Sequence, residues 1–484
     1  SGLIWVGTGQ FNGGLSKIIP ENPSFRHIQP KQRFADYAEN VIRSIFEDQN
    51  QNLWLSNKSG EIFILDENLN QIRILDELPF EGAESTSMNV YTMMQDREGY
   101  LWMGSKGGGI AVSSRPLDSF REDYHDIGFY HFTRENTGPG GLSSNMIYSI
   151  SEDAEGSIWI GTFGGGIHRV ESRDDRDLVC SHFDESNSNL NSPFIRHIFP
   201  DSQERLWFAT TSGVHLLESV FGSDSASFRS FIYDPEDPKS ISYNDVIHIF
   251  EDHHGDLWFA TFGGGLNKLE ILKPEEAAFL SLSQKDGLVN DAVFAMLQDS
   301  LGYIWVSTEN GISRIEPDTL RIDNFNSSNG LQCNNFSENT CFLTQKGKVI
   351  FGNTEGILVI APGKEERSNF IPPVVFTRFF LSNTELDFNS ESSPIQRHID
   401  YLPEIILKQP ENMPASPFVE LPQQLVAPKH HPVLEEVQLE SAPPVDGYVR
   451  TRARATSDVL IQSESGDPLL VRWRYGRGFV AALT

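Results

Sequence analysis

The sequence has 484 residues, with 38 Lys and Arg against 67 Asp and Glu, so its formal net charge is −29. A chain this acidic repels phosphate groups, which excludes nucleic acid and anionic membrane surfaces as expected partners. Three cysteines without a C-x-x-C pair exclude a disulfide scaffold and a thiolate zinc site. No apolar run reaches the ~18 residues of a membrane span, so we expect no membrane contact by this segment.

A repeat of about 50 residues dominates the chain. Seven of the eight Trp residues fall in it, with successive gaps of 49, 48, 57, 48, 51 and 47 residues. The first is Trp5, and the other six each have an Asp six residues earlier. These six pairs are Asp48 and Trp54, Asp96 and Trp102, Asp153 and Trp159, Asp201 and Trp207, Asp252 and Trp258, and Asp299 and Trp305. A weaker last unit, KVIFGNTEG, places Phe351 in the Trp position.

One unit shows what the repeat encodes. MIYSISED (146–153) alternates apolar and polar residues, as a half-buried strand does, and AEGS forms a tight turn. IWIGT (158–162) is a second strand, FGGG a reversal, and IHRVES and DLVCSHF are the third and fourth strands. Four short strands per repeat predict the blades of a β-propeller. Because they recur in six units, the Asp and Trp residues are interpreted as scaffold: Asp caps the turn, and Trp fills the space between sheets.

The repeats predict seven blades. Their inner strands are expected to start at Ile42, Tyr91, Ile147, Ile195, Ile247, Phe294 and Phe342. The last unit lacks a clear fourth strand, and SFRHIQP (24–30) is predicted to supply it and so close the ring. Residues 1–23 are a partial blade. We favour a remnant of a preceding propeller over an extra blade of this one.

Two units carry a family resemblance. IYSISEDAEGSIWIGTFGGGI (147–167) and IHIFEDHHGDLWFATFGGGL (247–266) resemble the two-component regulator propeller repeat, and the resemblance covers about residues 1–363. In that family the propellers form the extracytoplasmic sensor of bacterial histidine kinases and hybrid two-component systems, where they often recognise oligosaccharides. The resemblance implies a periplasmic location, an oligosaccharide ligand and a homodimer in the parent protein.

The expected fold is all-β, with a seven-bladed propeller of four-stranded antiparallel blades over residues 24–370. Residues 371–408 resemble the start of the Tyr-rich β-sandwich that follows such propellers, and 409–446 form a Pro-rich linker. Residues 447–484 form a short β-rich tail that resembles the end of the amidotransferase-like domain of von Willebrand-type membrane proteins. Whether this tail is native or the result of a fusion stays open. Both ends of the chain read as interior to structured units, which predicts a longer parent protein.

Ligand recognition is expected on one face of the propeller. The start of each inner strand and the reversal between the second and third strands lie on the same face, together with long connections rich in Asn, Ser and Gly. The candidate ligand-binding residues are Asn145, Phe163, Asn244, Phe262 and Asn334. For the Asn residues the alternative is that they satisfy backbone groups at strand ends.

No catalytic, metal or cofactor site is predicted. His253 and His254 could join Asp252 and Asp256 at a metal, but solvated turn residues are the favoured interpretation. The triple-glycine runs lack the Lys-Ser/Thr and helix of a phosphate loop. We therefore expect a non-catalytic sensor region, with the kinase in the parent protein. The alternatives are a sialidase-like glycosidase, since the Asp turn is close to an Asp-box, and a protein–protein interaction platform.

Overall fold

The computed structural model describes backbone and side chains for residues 24–30, 40–120, 124–138, 140–175, 177–222, 225–273, 276–327 and 330–363. The chain divides into two compact units, Ser1–Phe370 and Ile371–Thr484. Outside the ranges above, only the backbone of short strands is described.

Seven four-stranded antiparallel sheets make up the described ranges between residues 24 and 363 of the first unit. Within each blade, the strands are named in order from the innermost to the outermost. Blade 1 has β4 (Ile42–Glu47), β5 (Leu53–Asn57), β6 (Ile62–Leu65) and β7 (Gln71–Leu75). Blade 2 has β8 (Val90–Gln95), β9 (Leu101–Ser105), β10 (Ile110–Ser113) and β11 (Phe129–Phe132), with a 3-10 turn at Leu117–Ser119. Blade 3 has β12 (Ile147–Glu152), β13 (Ile158–Thr162), β14 (Ile167–Arg173) and β15 (Leu178–Phe183).

The remaining four blades continue this order. Blade 4 has β16 (Ile195–Pro200), β17 (Leu206–Thr210), β18 (Gly213–Phe221) and β19 (Ser225–Phe231). Blade 5 has β20 (Val246–Glu251), β21 (Leu257–Thr261), β22 (Leu266–Lys273) and β23 (Glu276–Leu282). Blade 6 has β24 (Val293–Gln298), β25 (Ile304–Thr308), β26 (Gly311–Glu316) and β27 (Arg321–Phe325). Blade 7 has β28 (Phe336–Leu343), β29 (Val349–Asn353), β30 (Ile357–Ile360) and β3 (Phe25–Ile28).

The ring closes through β3, which confirms the role predicted for residues 24–30. Phe25 pairs with Ile360, and the strand runs antiparallel to β30 at the outer edge of blade 7. The Phe25 side chain is buried, with its ring 6.4 Å from Trp305 and 5.1 Å from Phe325 in blade 6. Each inner strand contacts the next, and that of blade 7 contacts that of blade 1. The fold is therefore the all-β, seven-bladed propeller expected from the repeat.

The repeated Asp and Trp residues meet in every blade from 1 to 6. In blade 3, Oδ2 of Asp153 accepts a hydrogen bond from Nε1 of Trp159 at 2.7 Å. Its Oδ1 accepts the backbone N–H groups of Glu155 and Ser157, which closes the turn between β12 and β13. The same indole–carboxylate bond is 2.7 or 2.8 Å long in the other five blades. The carboxylate therefore joins a tight turn to the large ring that packs between sheets.

Each of these turns needs one left-handed residue, three positions after the Asp. Gly156 takes it in blade 3 with φ of 91°. In blades 1 and 4 the position is held by Gln51 and Glu204, both at φ of 62°. A side chain in this region costs about 1–2 kcal/mol. The turn geometry is therefore maintained even where the sequence lacks glycine.

Blade 7 departs from the predicted pattern in three ways. Ile350, not Phe351, takes the Trp position, because it is the second residue of β29, as each Trp is of its own second strand. Thr344 stands where the other blades have Asp, and its hydroxyl accepts the N–H of Lys348. A hydroxyl has no second oxygen for an indole N–H, so an aliphatic residue fits. The inner strand also starts at Phe336 rather than Phe342.

The other strands are described by their backbone alone. In the first unit, β1 (Ile4–Gly7) pairs with β2 (Leu15–Ile18). In the second unit the strands are β31 (Phe380–Leu381), β32 (Thr384–Glu385), β33 (Phe418–Val419), β34 (Leu425–Val426), β35 (Tyr448–Val449), β36 (Ser457–Ser463), β37 (Pro468–Tyr475) and β38 (Gly478–Leu483). Strands β34, β36, β37 and β38 form one antiparallel sheet. The predicted domain boundaries beyond residue 370 and the origin of residues 1–23 stay predictions, since most of those residues lie outside the described ranges.

Candidate functional site

The second residue of each inner strand is displaced from the sheet by a β-bulge. In blade 3, Ile147 faces Thr162 and Ser149 faces Gly161, so Tyr148 is an extra residue without a partner on β13. Blades 1 to 6 share this register shift, and the extra residues are Arg43, Tyr91, Tyr148, Arg196, Ile247 and Phe294. Bulges re-aim side chains and are frequent beside functional sites. We call these six residues, together with residues 337–340 of blade 7, the bulge ring.

Blade 7 contributes a larger bulge to this ring. Four residues, 337–340, stand opposite the single residue Gly352. Nδ2 of Asn339 donates to the backbone oxygen of Arg196 in blade 4 at 3.1 Å. Oγ1 of Thr340 donates to the backbone oxygen of Arg43 in blade 1 at 3.0 Å. The bulge therefore crosses the centre of the propeller at the end where the inner strands begin.

Arg196 is held by carboxylates from two other blades. Its guanidinium binds Asp245 through two hydrogen bonds of 3.0 and 2.8 Å. Its third nitrogen donates to Glu338 at 2.9 Å. Because a planar guanidinium fits a carboxylate through two parallel bonds, this network fixes the side chain in one orientation. It joins blades 4, 5 and 7 across the channel.

Aromatic side chains form a continuous row over blades 2 to 4. The ring centroids of Tyr91 and Tyr148 are 5.0 Å apart, and those of Tyr148 and Phe163 are 4.7 Å apart. Phe163 in turn lies 4.8 Å from Phe194, which is 39% exposed. The Arg196 guanidinium carbon lies 5.5 Å from the Phe163 centroid, within cation–π range. Phe163 was predicted as a ligand residue; the structure places it in this row.

Phe262, the second predicted aromatic residue, lies against Phe294, an apolar member of the bulge ring. It stacks on Phe294 at a centroid distance of 6.0 Å, and both Phe262 and Tyr243 are 44% exposed. A Cβ at Gly264 would come within 2.6 Å of Cβ of Tyr243, so the TFGGG turn packs against this tyrosine only because it carries glycine there. Exposed aromatic faces thus continue around the channel mouth from blade 4 to blade 5.

Positive charge concentrates at the other end of the aromatic row. The Arg43 guanidinium carbon lies 5.2 Å from the Tyr91 ring centroid, and Nζ of Lys106 lies 5.5 Å from it. Electrostatic interaction with Tyr91 raises the pKa of Lys106. Burial raises the pKa of Tyr148, and the Lys106 charge partly offsets this. The cluster therefore presents two cationic side chains and two tyrosine hydroxyl groups.

The predicted Asn residues stand beside the ring and hold the connections. The backbone oxygen of Asn145 accepts the N–H groups of Gly107 and Gly109, and its Oδ1 accepts the N–H of Arg134. Asn244 has matching bonds to Gly213 and Tyr233, and the Asn334 backbone oxygen accepts the N–H of Gly311. These contacts are those that the structural alternative for the Asn residues requires. A ligand role for them stays a prediction.

The turn at His253 and His254 lies at the other end of the strands. The backbone N–H of His253 donates to Gln298 of blade 6, and that of His254 donates to Asp252. In the ranges that the structure describes, no cluster of three or more His, Cys, Asp and Glu side chains is placed to hold a metal ion. Within those ranges, no helix is long and apolar enough to cross a membrane.

Four segments of the propeller match the repeat of a known family. These segments, 84–107, 141–164, 240–263 and 287–310, match the two component regulator propeller. Each spans the end of a connection, the inner strand, the Asp turn and the second strand of blades 2, 3, 5 and 6. The resemblance seen in the sequence is thereby confirmed.

Known proteins with similar chains include a histidine kinase and solved structures. Histidine kinase P4 of Formosa agariphila is 23% identical over 394 residues, which cover 80% of this chain and 27% of that protein. The extracellular domain assigned to a hybrid two component system of B. thetaiotaomicron matches with a TM-score of 0.59 and 24% identity, over 80% of this chain and 48% of that one. PorZ of Porphyromonas gingivalis matches with a TM-score of 0.52 and 14% identity, over 70% of this chain and 49% of that one. The chain thus spans about a quarter of the kinase and half of each solved chain.

Sequence reasoning missed most of the bulge ring. A bulge is a mismatch between two strands, so neither strand shows it alone. One signal was available: the turn SKGGG in blade 2 aligns with TFGGG in blades 3 and 5, which places Lys106 at the position of Phe163 and Phe262. Arg43, Tyr91, Tyr148 and Arg196 likewise share one position after the first residue of their strands.

Proposed function

We propose that this propeller is the ligand-binding sensor region of an extracytoplasmic two-component signalling protein, and that it binds an oligosaccharide at the bulge ring. Supporting the signalling assignment, its repeats match the two component regulator propeller. The similar proteins include a histidine kinase and an extracellular domain of a hybrid system. Because the chain spans only part of each, kinase activity would belong to other parts of such a protein.

The observation that carries ligand binding is the aromatic surface at the channel mouth. Phe194, Tyr243 and Phe262 expose between 39% and 44% of their surface on one rim, although each packs against a neighbouring residue. Aromatic faces of this kind pack against the apolar C–H face of a sugar ring, while tyrosine hydroxyl groups and Arg supply hydrogen bonds. A rigid scaffold that displays such groups on adjoining turns is suited to recognition.

Hydrolysis is less well supported than binding. A glycosidase needs a carboxylic acid that donates a proton beside a second carboxylate or a nucleophile. Glu338 of the ring and Asp245 beside it both accept hydrogen bonds from Arg196. This arrangement fixes the orientation of Arg196, as a binding site requires.

The test is a thermal-shift and calorimetry screen of the 484-residue chain against neutral and acidic oligosaccharides, with chromatography of each sugar afterwards. We expect at least one oligosaccharide to stabilise the protein and to be recovered intact. Phe262→Ala should weaken its binding about tenfold or more. Phe221→Ala is the matched control, because Phe221 is also exposed but ends β18 on the opposite face. Release of shorter sugars would support the glycosidase. No response to any sugar would contradict oligosaccharide binding and favour the protein–protein interaction platform.

A further inference from the structure

Arg43 of the bulge ring and Lys106 of the neighbouring turn have no carboxylate partner among the described residues. Among the residues that the structure describes, the ion pairs of 4.0 Å or less include neither Arg43 nor Lys106. Nε of Arg43 is moreover buried without a hydrogen-bond partner there. A buried donor without a partner is costly, and a bound ion or ligand is one ordinary way of satisfying it.

The contrast with Arg196 makes this pair distinctive. Arg196 occupies the corresponding bulge position of blade 4 and binds two carboxylates. Arg43 shares the position in blade 1, but its neighbours are the Tyr91 ring and the backbone-bound Thr340. The two arginines therefore differ in that carboxylates neutralise Arg196, whereas Arg43 contacts an aromatic ring.

We propose that Arg43 and Lys106 form an anion-binding subsite, in which a carboxylate or sulfate group of the ligand binds at the Tyr91 and Tyr148 end of the aromatic row. This inference rests on the proposed function and deepens it, because it assigns acidic saccharides, with a uronate or a sulfate ester, as the ligand class. The aromatic row then holds the sugar rings that follow the acidic group.

The residue types match this chemistry. The planar guanidinium of Arg43 can donate two parallel hydrogen bonds to a carboxylate or a sulfate. Lys106 is exposed at the rim and adds a mobile point charge with three donors. Tyr148 lies next to Tyr91 and offers a neutral hydroxyl donor at the same place. The anion would thus receive donors from blades 1, 2 and 3.

The overall charge limits the size of the ligand. A net charge of −29 repels a long polyanion, while screening confines the local attraction to about 8 Å at physiological ionic strength. A short saccharide with one or two acidic groups therefore fits better than a polymer. Its affinity should fall as salt is added, because the subsite is at the surface end of the channel.

The first arm of the test uses acidic saccharides. The 484-residue chain is titrated with short uronate-containing and sulfated oligosaccharides and with their neutral counterparts of the same linkage. We expect the acidic members to bind more tightly, and Arg43→Gln with Lys106→Gln to weaken their binding at least tenfold. Lys273→Gln is the control, because Lys273 is also exposed but ends β22 on the opposite face. A preference for uronates over sulfates, or the reverse, identifies the anion.

The second arm uses inorganic sulfate, which needs no sugar. Melting temperatures are compared in sodium sulfate and in sodium chloride at equal ionic strength. General stabilisation by sulfate acts on every variant alike. A larger shift in melting temperature for the wild type and Lys273→Gln than for the double variant therefore reports the subsite. Neutral sugars that bind wild type and double variant equally would overturn the anion subsite and leave the sensor function standing. Sulfate binding without any sugar binding would overturn the oligosaccharide function alone. Equal responses of wild type and double variant in both arms overturn the subsite.

Discussion

Nε1 of Trp305 donates a hydrogen bond to Oδ2 of Asp299 over 2.7 Å, and both side chains are buried. Oδ1 of the same carboxylate accepts the backbone N–H groups of Leu301 and Tyr303. One carboxylate thus ties a surface turn to the indole between two blades. Since the same contact occurs in six blades, it explains how short sheets with few residues each are held in a ring.

This pair predicts a specific non-additivity. Asp299→Asn keeps the shape and one acceptor oxygen, but it places an amide donor against the indole N–H. We expect the free energy of unfolding to fall by about 2–3 kcal/mol, as for a buried donor that loses its charged partner. Trp305→Phe removes the indole N–H and should cost about 2 kcal/mol. In the double variant, the introduced phenylalanine has no N–H group, so the amide donor of the introduced asparagine no longer faces a second donor.

The double variant should therefore be more stable, by about 1–2 kcal/mol, than the sum of the single effects implies. Denaturant unfolding of the four proteins measures this coupling. Blade 7, which has Thr344 and Ile350 at these positions, shows that a blade can form without the pair. Strictly additive effects would mean that the hydrogen bond contributes nothing.

A second prediction concerns the left-handed turn position. Glu204 has φ of 62°, where Gly156, Gly255 and Gly302 stand in other blades. Glu204→Gly should raise the free energy of unfolding by about 0.5–1 kcal/mol, because relief of backbone strain exceeds the entropy that glycine adds to the unfolded chain. Gly156→Ala should lower it by about 1 kcal/mol or more. Denaturation midpoints of both variants test this, and equal midpoints would contradict it.

The third prediction is a loss of stability in mild acid. Burial lowers the pKa of His197 and of His215 to about 4 and that of His168 to about 3. Nε2 of His168 accepts the backbone N–H of Ser143, and Nδ1 of His197 accepts that of Ile249, so both rings must be neutral at those atoms. Below pH 6.5 the unfolded chain binds protons at these residues and the folded chain does not. Stability should therefore fall as the pH drops from about 6.5 toward 4.

His168→Asn isolates one of these groups. In blade 5, Asn267 holds the corresponding position, and its Oδ1 accepts the N–H of Ser242. Asn should therefore replace His168 without loss of the contact. The free energy of unfolding of the variant, relative to that of the wild type, should rise by about 2 kcal/mol when the pH is lowered from 7 to 5. A wild type equally stable at both pH values would contradict the neutral buried rings.

The fourth prediction concerns ring closure by β3. Phe25 is buried against Trp305 and Phe325, so Phe25→Ala should lower the free energy of unfolding by about 3–5 kcal/mol. It should also speed hydrogen exchange in β30, the strand that β3 covers. Arg26→Ala, an exposed neighbour in the same strand, is the control and should change neither. Unchanged exchange in β30 after Phe25→Ala would contradict closure by this strand.

The scaffold was predictable from the sequence because its contacts are local and repeated. Asp153 and Trp159 are six residues apart, so the spacing itself carries the turn and the second strand. Ring closure was predictable because the last repeat lacked a fourth strand and the strand predicted at residues 24–30 had no other partner. The position of Phe351 was predicted wrongly because alignment by aromatic character overrode the six-residue spacing.

The candidate site was less accessible to sequence reasoning, because it depends on contacts between blades. Arg196 and Glu338 are 142 residues apart and meet only across the closed ring. The bulge that exposes Tyr148 is a register mismatch with β13 and leaves no mark in either strand alone. Phe163 and Phe262 could be named because they stand in a visible turn motif. Their neighbours in the bulge ring could not.

The central claim is that ligand recognition occurs at the bulge ring. Hydroxyl-radical footprinting of the 484-residue chain, with and without the oligosaccharide that stabilises it most, tests this directly. We expect protection of Tyr148, Phe194 and Phe262, and none at Phe221 on the opposite face. Protection confined to Phe221 or to the outer strands, with the three ring-side residues unchanged, would contradict the account.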